Sequence, residues 1–124
     1  MNPLRRQVTD TDIEKLLKVC YLIRSLEPIQ AKVNELPIQT LTVLMYIASH
    51  NGCHKQAMEE DLGLTKASGS RNTDWLARLH RLGRPGLNLV TKEVDYSDKR
   101  RTILKLTRKG KDLVHKITRI LYDN

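Results

Sequence analysis

Lys66, Arg71 and Arg78 fall within one helical stretch, and Lys99, Arg100 and Arg101 within a polar loop downstream. Cations grouped in this way bind anions. Arg pairs bidentately with phosphates and guanine edges, and Lys neutralises a phosphate as a point charge. The hydroxyls of Thr65, Ser68 and Ser70 stand among the first group and add neutral hydrogen-bonding capacity. The other reactive residues assemble into less. His50, Cys53 and His54 lie close in sequence, and neutral imidazole with thiolate suits Zn²⁺. Three such ligands across a helix end and a turn lack a fourth, so no metal and no other cofactor is expected. There is no Gly-rich phosphate loop, no nucleophile elbow and no His-Glu-x-x-His pair. No nucleophile–base pair can be assembled, and the chain reads as a non-enzyme.

The charge balance points the same way as the cation groups. The 124 residues carry a formal charge of +8, unevenly spread. Residues 1–65 hold seven Lys/Arg against eight Asp/Glu, whereas residues 66–124 hold fifteen against six. A basic half beside a near-neutral half implies a nucleic acid or another anionic surface as partner. The length suits one domain. With four Tyr, one Trp and no Phe, its core must be aliphatic. No run of about 18 apolar residues exists to span a membrane, and no secretory signal follows the N-terminal Arg pair. Two cysteines are too few for a disulfide framework, which fits a reducing, cytoplasmic setting.

The elements that must position these cations follow from periodicity. Residues 1–10 read as an arm. From Thr11, Ile13, Leu16, Leu17, Cys20 and Ile23 follow helical spacing, with Val19, Leu22, Leu26, Ile29 and Val33 as a second stripe. Asp10 or Thr11 is expected to cap this helix, Pro28 to kink it, and Cys20 to be inert packing. Two stripes exceed what one core contact needs, so a partner subunit is expected over the second. Pro37 opens the next helix, whose inward face reads as Ile38, Leu41, Leu44, Met45 and Ala48. A short helix from His54 to Leu62 turns inward Met58 and Leu62. After Gly63-Leu64, Thr65 caps a helix running to about Leu82, with Gly69, Leu76 and Leu79 inward, Asn72 and Thr73 marginal, and Trp75 packed on its flank. Beyond Pro85 the period becomes two: 89–94 and 102–106 read as a hairpin. Thr107 caps a last helix bearing Leu113, Val114, Ile117, Ile120 and Leu121.

A short helix, a Gly turn and a polar-faced helix make a helix-turn-helix over 54–82, whose second helix enters the major groove. With Leu76 inward, Ala67, Arg71, Asp74 and Arg78 face outward, and local Arg71–Asp74 and Asp74–Arg78 pairs are the plain alternative to DNA contact. A hairpin tip holding Lys99, Arg100 and Arg101 directly behind it has the make-up of a wing along a minor groove.

Leu62-Gly63-Leu64-Thr65-Lys66-Ala67-Ser68 with Ser70-Arg71, then Asp95…Asp98-Lys99-Arg100, then Leu106-Thr107-Arg108-Lys109-Gly110, resembles the multiple-antibiotic-resistance regulator (MarR) family. Leu36-Pro37-Ile38-Gln39…Leu41 is similar to that family's entry into its second helix. The resemblance runs over 12–124 and implies a winged helix fold, mainly α with a small β-hairpin wing. It also implies a homodimer through the terminal helices and control of transcription at pseudo-palindromic double-stranded DNA. The single domain would then divide into dimerisation helices at 11–36 and 107–124, a helix-turn-helix at 54–82 and a wing at 88–106. The candidate DNA-binding residues are Thr65, Lys66, Ser68, Ser70, Arg71, Arg78, Lys99, Arg100 and Arg101. The residues identify no small-molecule effector. The alternatives are a winged helix module of a replication or packaging factor, and a protein-binding winged helix.

The chain departs from the family in four places. Glu59 stands where the family has Ala after the apolar residue of its third helix. Gly69, Asn72 and Thr73 replace apolar residues of the fourth. Ser97 replaces the first wing Arg, and an insertion around His80 to Pro85 follows the fourth helix.

Overall fold

The computed structural model describes residues 8–25, 37–77 and 85–122, less the side chains of Leu22, Ile23 and Ser25. The expected kink at Pro28, the apolar positions Leu26, Ile29, Val33 and Leu79, the site residue Arg78 and most of the insertion after it lie outside these.

Helix α1 (Asp10–Ser25) is capped one residue earlier than expected. The Asp12 N–H donates to Thr9 Oγ1 at 3.1 Å, and the Thr9 N–H donates to Asp12 Oδ2 at 2.9 Å. Thr-x-x-Asp is a reciprocal capping box, and it satisfies two backbone donors that a cap at Asp10 or Thr11 would leave open. Those bonds, the Thr9 backbone N–H foremost, hold the Asp12 carboxyl below its usual range. The described part of α1 buries none of its side chains. Ile13, Leu16, Leu17 and Cys20 of the first apolar stripe are exposed, as are Val19 and Tyr21, while the helix lies against α5.

Helix α2 (Ile38–Ser49) starts after the extended Pro37, as a proline-led first turn predicts. Its inward face is Thr40, Val43, Leu44 and Ile47, while Ile38 is 82% exposed. Of the face expected from apolar spacing, Leu44 is buried and Leu41 and Met45 pack against the core, but Ile38 is open and the polar Thr40 takes the inward place instead. Thr40 is fully buried, with its hydroxyl donated to Asn72 Oδ1 at 2.7 Å.

A two-residue strand β1 (Cys53–His54) then leads into α3 (Lys55–Leu62), and α4 (Lys66–Leu76) follows a tight turn. That turn needs Gly63, which sits at φ 66 while the Leu64 N–H reaches back to the Glu59 carbonyl at 2.8 Å. Strands β2 (Val90–Val94) and β3 (Thr102–Leu106) form the expected antiparallel hairpin, in register from Val90↔Leu106 to Val94↔Thr102. Strand β1 adds to the other edge of β3 through Cys53↔Leu104 and His54↔Ile103, giving the order β1-β3-β2. Helix α5 (Arg108–Tyr122) ends the described chain, capped as expected by Thr107, whose Oγ1 accepts from the Gly110 N–H at 2.9 Å.

The core is aliphatic. Val43, Leu44 and Ile47 from α2 meet Met58, Leu76, Leu87, Leu89, Val90 and Leu104, none more than 3% exposed. Burying each such side chain contributes about 1.5–3 kcal/mol, and the contacts bind both helices of the motif to the sheet. Leu87 and Leu89 do a second job. The Leu87 N–H bonds the Trp75 carbonyl at 3.0 Å and the Leu89 N–H bonds that of Leu76 at 2.8 Å, so the last turn of α4 is tied to the approach to β2. Helix α4 accordingly ends at Leu76, short of the expected Leu82.

Candidate nucleic-acid interface

Thr65 caps α4 by accepting from the Ser68 N–H at 3.0 Å, as its type and position predict. The outward face of the helix carries Lys66, Ala67 and Arg71, all exposed, with Ser70 half-buried beside them. Among the described residues Arg71 makes no ion pair and no side-chain hydrogen bond. The local pairing with Asp74 does not form. Asp74 instead binds Lys92 of β2, which cancels an anion on this face and joins helix to wing. Sequence reasoning missed Lys92, because only the fold brings it to α4.

Ser68 is not on the outward face. It is 8% exposed, and its hydroxyl donates to Gln39 Oε1 at 2.9 Å. Asn72 and Thr73, expected at the margin, are buried and satisfied. Asn72 Nδ2 donates to Gln39 Oε1 at 2.8 Å and Thr73 Oγ1 donates to the Gly69 carbonyl at 2.9 Å. Polar residues thus fill positions where an apolar face would be sought.

Where α3 crosses α4, Glu59 lies against Gly69. The Glu59 carboxylate is held by Lys55 Nζ at 2.7 Å, and the residue is only 7% exposed. Nearby, the Tyr46 hydroxyl of α2 donates to Asp61 Oδ2 of α3, and this bond to a carboxylate pushes the phenol up to about 12.

The wing is braced at both ends of its loop. Asp95 Oδ1 accepts from the Ser97 N–H at 2.9 Å and its hydroxyl at 2.6 Å, while Asp95 Oδ2 meets His54 Nε2 at 2.8 Å. The Ser97 hydroxyl, then His54, hold the Asp95 carboxyl well below the usual carboxylate range. Asp98 accepts from the Arg100 N–H and Nε, both at 3.1 Å, and Arg101 Nε stands 3.6 Å away. The Arg100 side chain, then its backbone N–H, likewise lower the Asp98 carboxyl. Lys99, Arg100 and Arg101 are all exposed on the loop. Lys99 has no partner among the described residues.

A cleft of 390 Å³ lies between α3 and the wing, lined by Glu59 and Glu60 as well as by Lys55, Lys66, Arg100 and Arg101. His54 is engaged by the wing, and burial raises the Cys53 thiol above its usual range. Among the described residues no cluster of three or more His, Cys, Asp or Glu is placed to hold a metal.

No family model matches the chain. No curated protein matches it significantly. Solved structures do share its fold. A MarR transcriptional regulator from Methanosarcina mazei superposes with TM-score 0.61 at 21% identity, over 82% of this chain and 63% of that one. The present chain therefore spans less than two thirds of that regulator. A mutant MarR from E. coli, solved in complex with operator DNA, gives TM-score 0.62 at 18% identity, over 86% and 67% of the two chains. A mutant MepR from S. aureus, bound to an oligodeoxyribonucleotide, gives 0.65 at 21% identity, over 92% and 77%. At these identities the likeness is one of fold: a winged helix of the kind found in MarR regulators.

Proposed function

We propose that the chain is a MarR-like transcriptional regulator that binds double-stranded DNA sequence-specifically as a homodimer in the cytoplasm. The observation that carries this reading is the outward face of α4, where Arg71 stands exposed and unpaired among the described residues while Lys92 neutralises the neighbouring Asp74. A guanidinium left free on a braced helix is available for a guanine edge. Thr65, Lys66, Ser70 and Arg71 enter the major groove, and Lys99, Arg100 and Arg101 hold the wing to phosphates or the minor groove. Ser68 drops out of that set because its hydroxyl points inward. Arg78 lies outside the described residues. The solved neighbours support the reading, since they include regulators held on DNA. No catalysis is assigned. Among the described residues no helix is long and apolar enough to cross a membrane.

The homodimer rests on α1. Ile120 and Leu121 of α5, expected at the dimer seam, are half-buried, and on α1 the exposed apolar residues include Ile13, Leu16, Leu17, Val19 and Tyr21. A second copy covers such a surface isologously.

Selection of bound sequences from random duplex DNA tests the reading. Each neutralised phosphate releases counterions, so the affinity of the selected duplex should fall with salt at a log–log slope of about −0.9 per contact. An affinity insensitive to salt would contradict it. In the same assay Arg71→Ala should flatten preference at one position per half-site, at a cost of about 1–3 kcal/mol for a lost bidentate pair. Lys99→Ala should weaken all sequences alike. If Arg71→Ala returns the wild-type motif, Arg71 reads no base.

A further inference from the structure

Gln39 belongs to α2, outside the helix-turn-helix and the wing, yet two side chains of α4 converge on it. Ser68 Oγ and Asn72 Nδ2 donate to its Oε1 at 2.9 and 2.8 Å. Asn72 cannot be turned the other way. Its Oδ1 already accepts from the buried Thr40 hydroxyl at 2.7 Å, and its Nδ2 also donates to the Ser68 carbonyl at 2.9 Å. Asn72 therefore presents an N–H to Gln39, and Gln39 must answer with its carbonyl.

Two donors saturate the two lone pairs of that oxygen. The amide is planar, so fixing Oε1 against α4 fixes Nε2 on the far side of Cδ. Its two N–H groups have no acceptor among the described residues, and Gln39 is exposed. Ser68 and Asn72 each follow directly after an outward residue of α4, Ala67 and Arg71, both exposed. The free N–H pair thus lies along the border of the face that carries Arg71. The serine hydroxyl expected to be the polar group at this edge is turned in, and Gln39 takes its place.

We propose that Gln39 is a DNA-backbone contact, donating its side-chain N–H groups to a phosphodiester oxygen while its carbonyl positions α4. The proposal rests on the DNA-binding reading above. A phosphate oxygen fits because only an acceptor can take both protons, and because the group sits at the edge of the helix face, on a different helix. Contacts of that kind position a protein on the duplex and carry no base identity. The bond is made by a neutral donor, so it adds affinity without releasing an additional counterion.

Gln39→Glu in the full chain tests this, assayed on the selected duplex beside wild type and Gln39→Ala. Glu keeps an oxygen to accept from Ser68 and Asn72, so thermal unfolding should stay near that of wild type. It replaces the outward N–H pair with an anionic oxygen. Binding should fall at least about tenfold, the scale of a lost hydrogen bond to a charged group, and further than for Gln39→Ala. Replacing single phosphates by neutral methylphosphonates should then show one position per half-site where wild type weakens and Gln39→Glu recovers. Gln39→Glu binding as tightly as wild type overturns the assignment. So does a weakened Gln39→Glu that no methylphosphonate restores, since that marks a purely structural role. A wild-type chain that retains no duplex at all overturns the regulator reading itself, which the salt titration detects independently of any Gln39 variant.

Discussion

Leu16→Asp combined with Leu17→Asp should yield a monomer that has lost most of its DNA affinity. Leu16 is 57% exposed and Leu17 51%, and Ile13 and Cys20, also exposed, share their face of α1. Helix α1 lies against α5, yet none of its described side chains is fully buried, so much of its apolar face is left for a partner to cover. An exposed apolar strip of this size marks an interaction surface, and pairing with the same strip of a second copy removes both from water. Two carboxylates at the seam would face two more across it, in a setting where unpaired charge is costly. Loss of the dimer also removes the linkage between two half-site contacts, which is worth about 10²–10⁴ in apparent affinity. Sedimentation at micromolar concentration and a mobility-shift titration measure the two effects. A double variant that stays dimeric, or a monomer that binds as tightly as wild type, would refute the assignment of this face.

The second large effect concerns α3 against α4. A Cβ added at Gly69 would stand 2.0 Å from Glu59 Oε2 and 2.6 Å from Glu59 Cδ, so Gly69→Ala must drive the Glu59 carboxylate from its place beside Lys55. Overpacking of this kind costs about 1–3 kcal/mol, although Ala is intrinsically the better helix former by roughly 0.5–1 kcal/mol. Glu59→Ala alone leaves Lys55 without its partner. The double variant Glu59→Ala/Gly69→Ala restores an Ala at the crossing and gives its new methyl room. Denaturant unfolding should therefore show Gly69→Ala destabilised and the double variant more stable than the sum of the singles by about 1–2 kcal/mol. Strict additivity would mean that the carboxylate moves aside freely. The two positions that looked like separate departures from the family pattern are thus one exchange: a large side chain on one helix matched by none on the other.

Much of this was legible in advance because it is written in local terms. The Thr65 and Thr107 caps, the proline-led start of α2 and the period-two hairpin each depend on residues within a few positions of one another. What was misread depends on contacts distant in sequence. Thr40 and Asn72 are buried because each answers the other across 32 residues, and a search for apolar periodicity passes over both. Strand β1 has two residues, too few to show any period. Ser68 counts among the DNA-binding candidates through the family resemblance, but Gln39, 29 positions earlier, draws its hydroxyl in. Lys92 alternates as a solvent-facing strand residue should, and nothing local says that it ends on Asp74. Arg71, Lys99, Arg100 and Arg101 were found as cations. Which of them are free and which are held by Asp98 needed the fold.

Two cross-ties hold the wing: Lys92 of β2 binds Asp74 of α4, and His54 of β1 meets Asp95 at the start of the wing loop. A hairpin held at one point pivots, whereas one held at two keeps its bearing. The wing and α4 therefore behave as the fixed jaws of a caliper whose gap was set when the chain folded. On the DNA-binding reading proposed above, the helix would touch one groove and the wing the next, at a distance that is a property of the DNA. A rigid gap makes that distance something the protein measures. Sequences whose grooves already match it bind without distortion, and others bind only after bending to fit, so discrimination extends to base pairs that no side chain reaches.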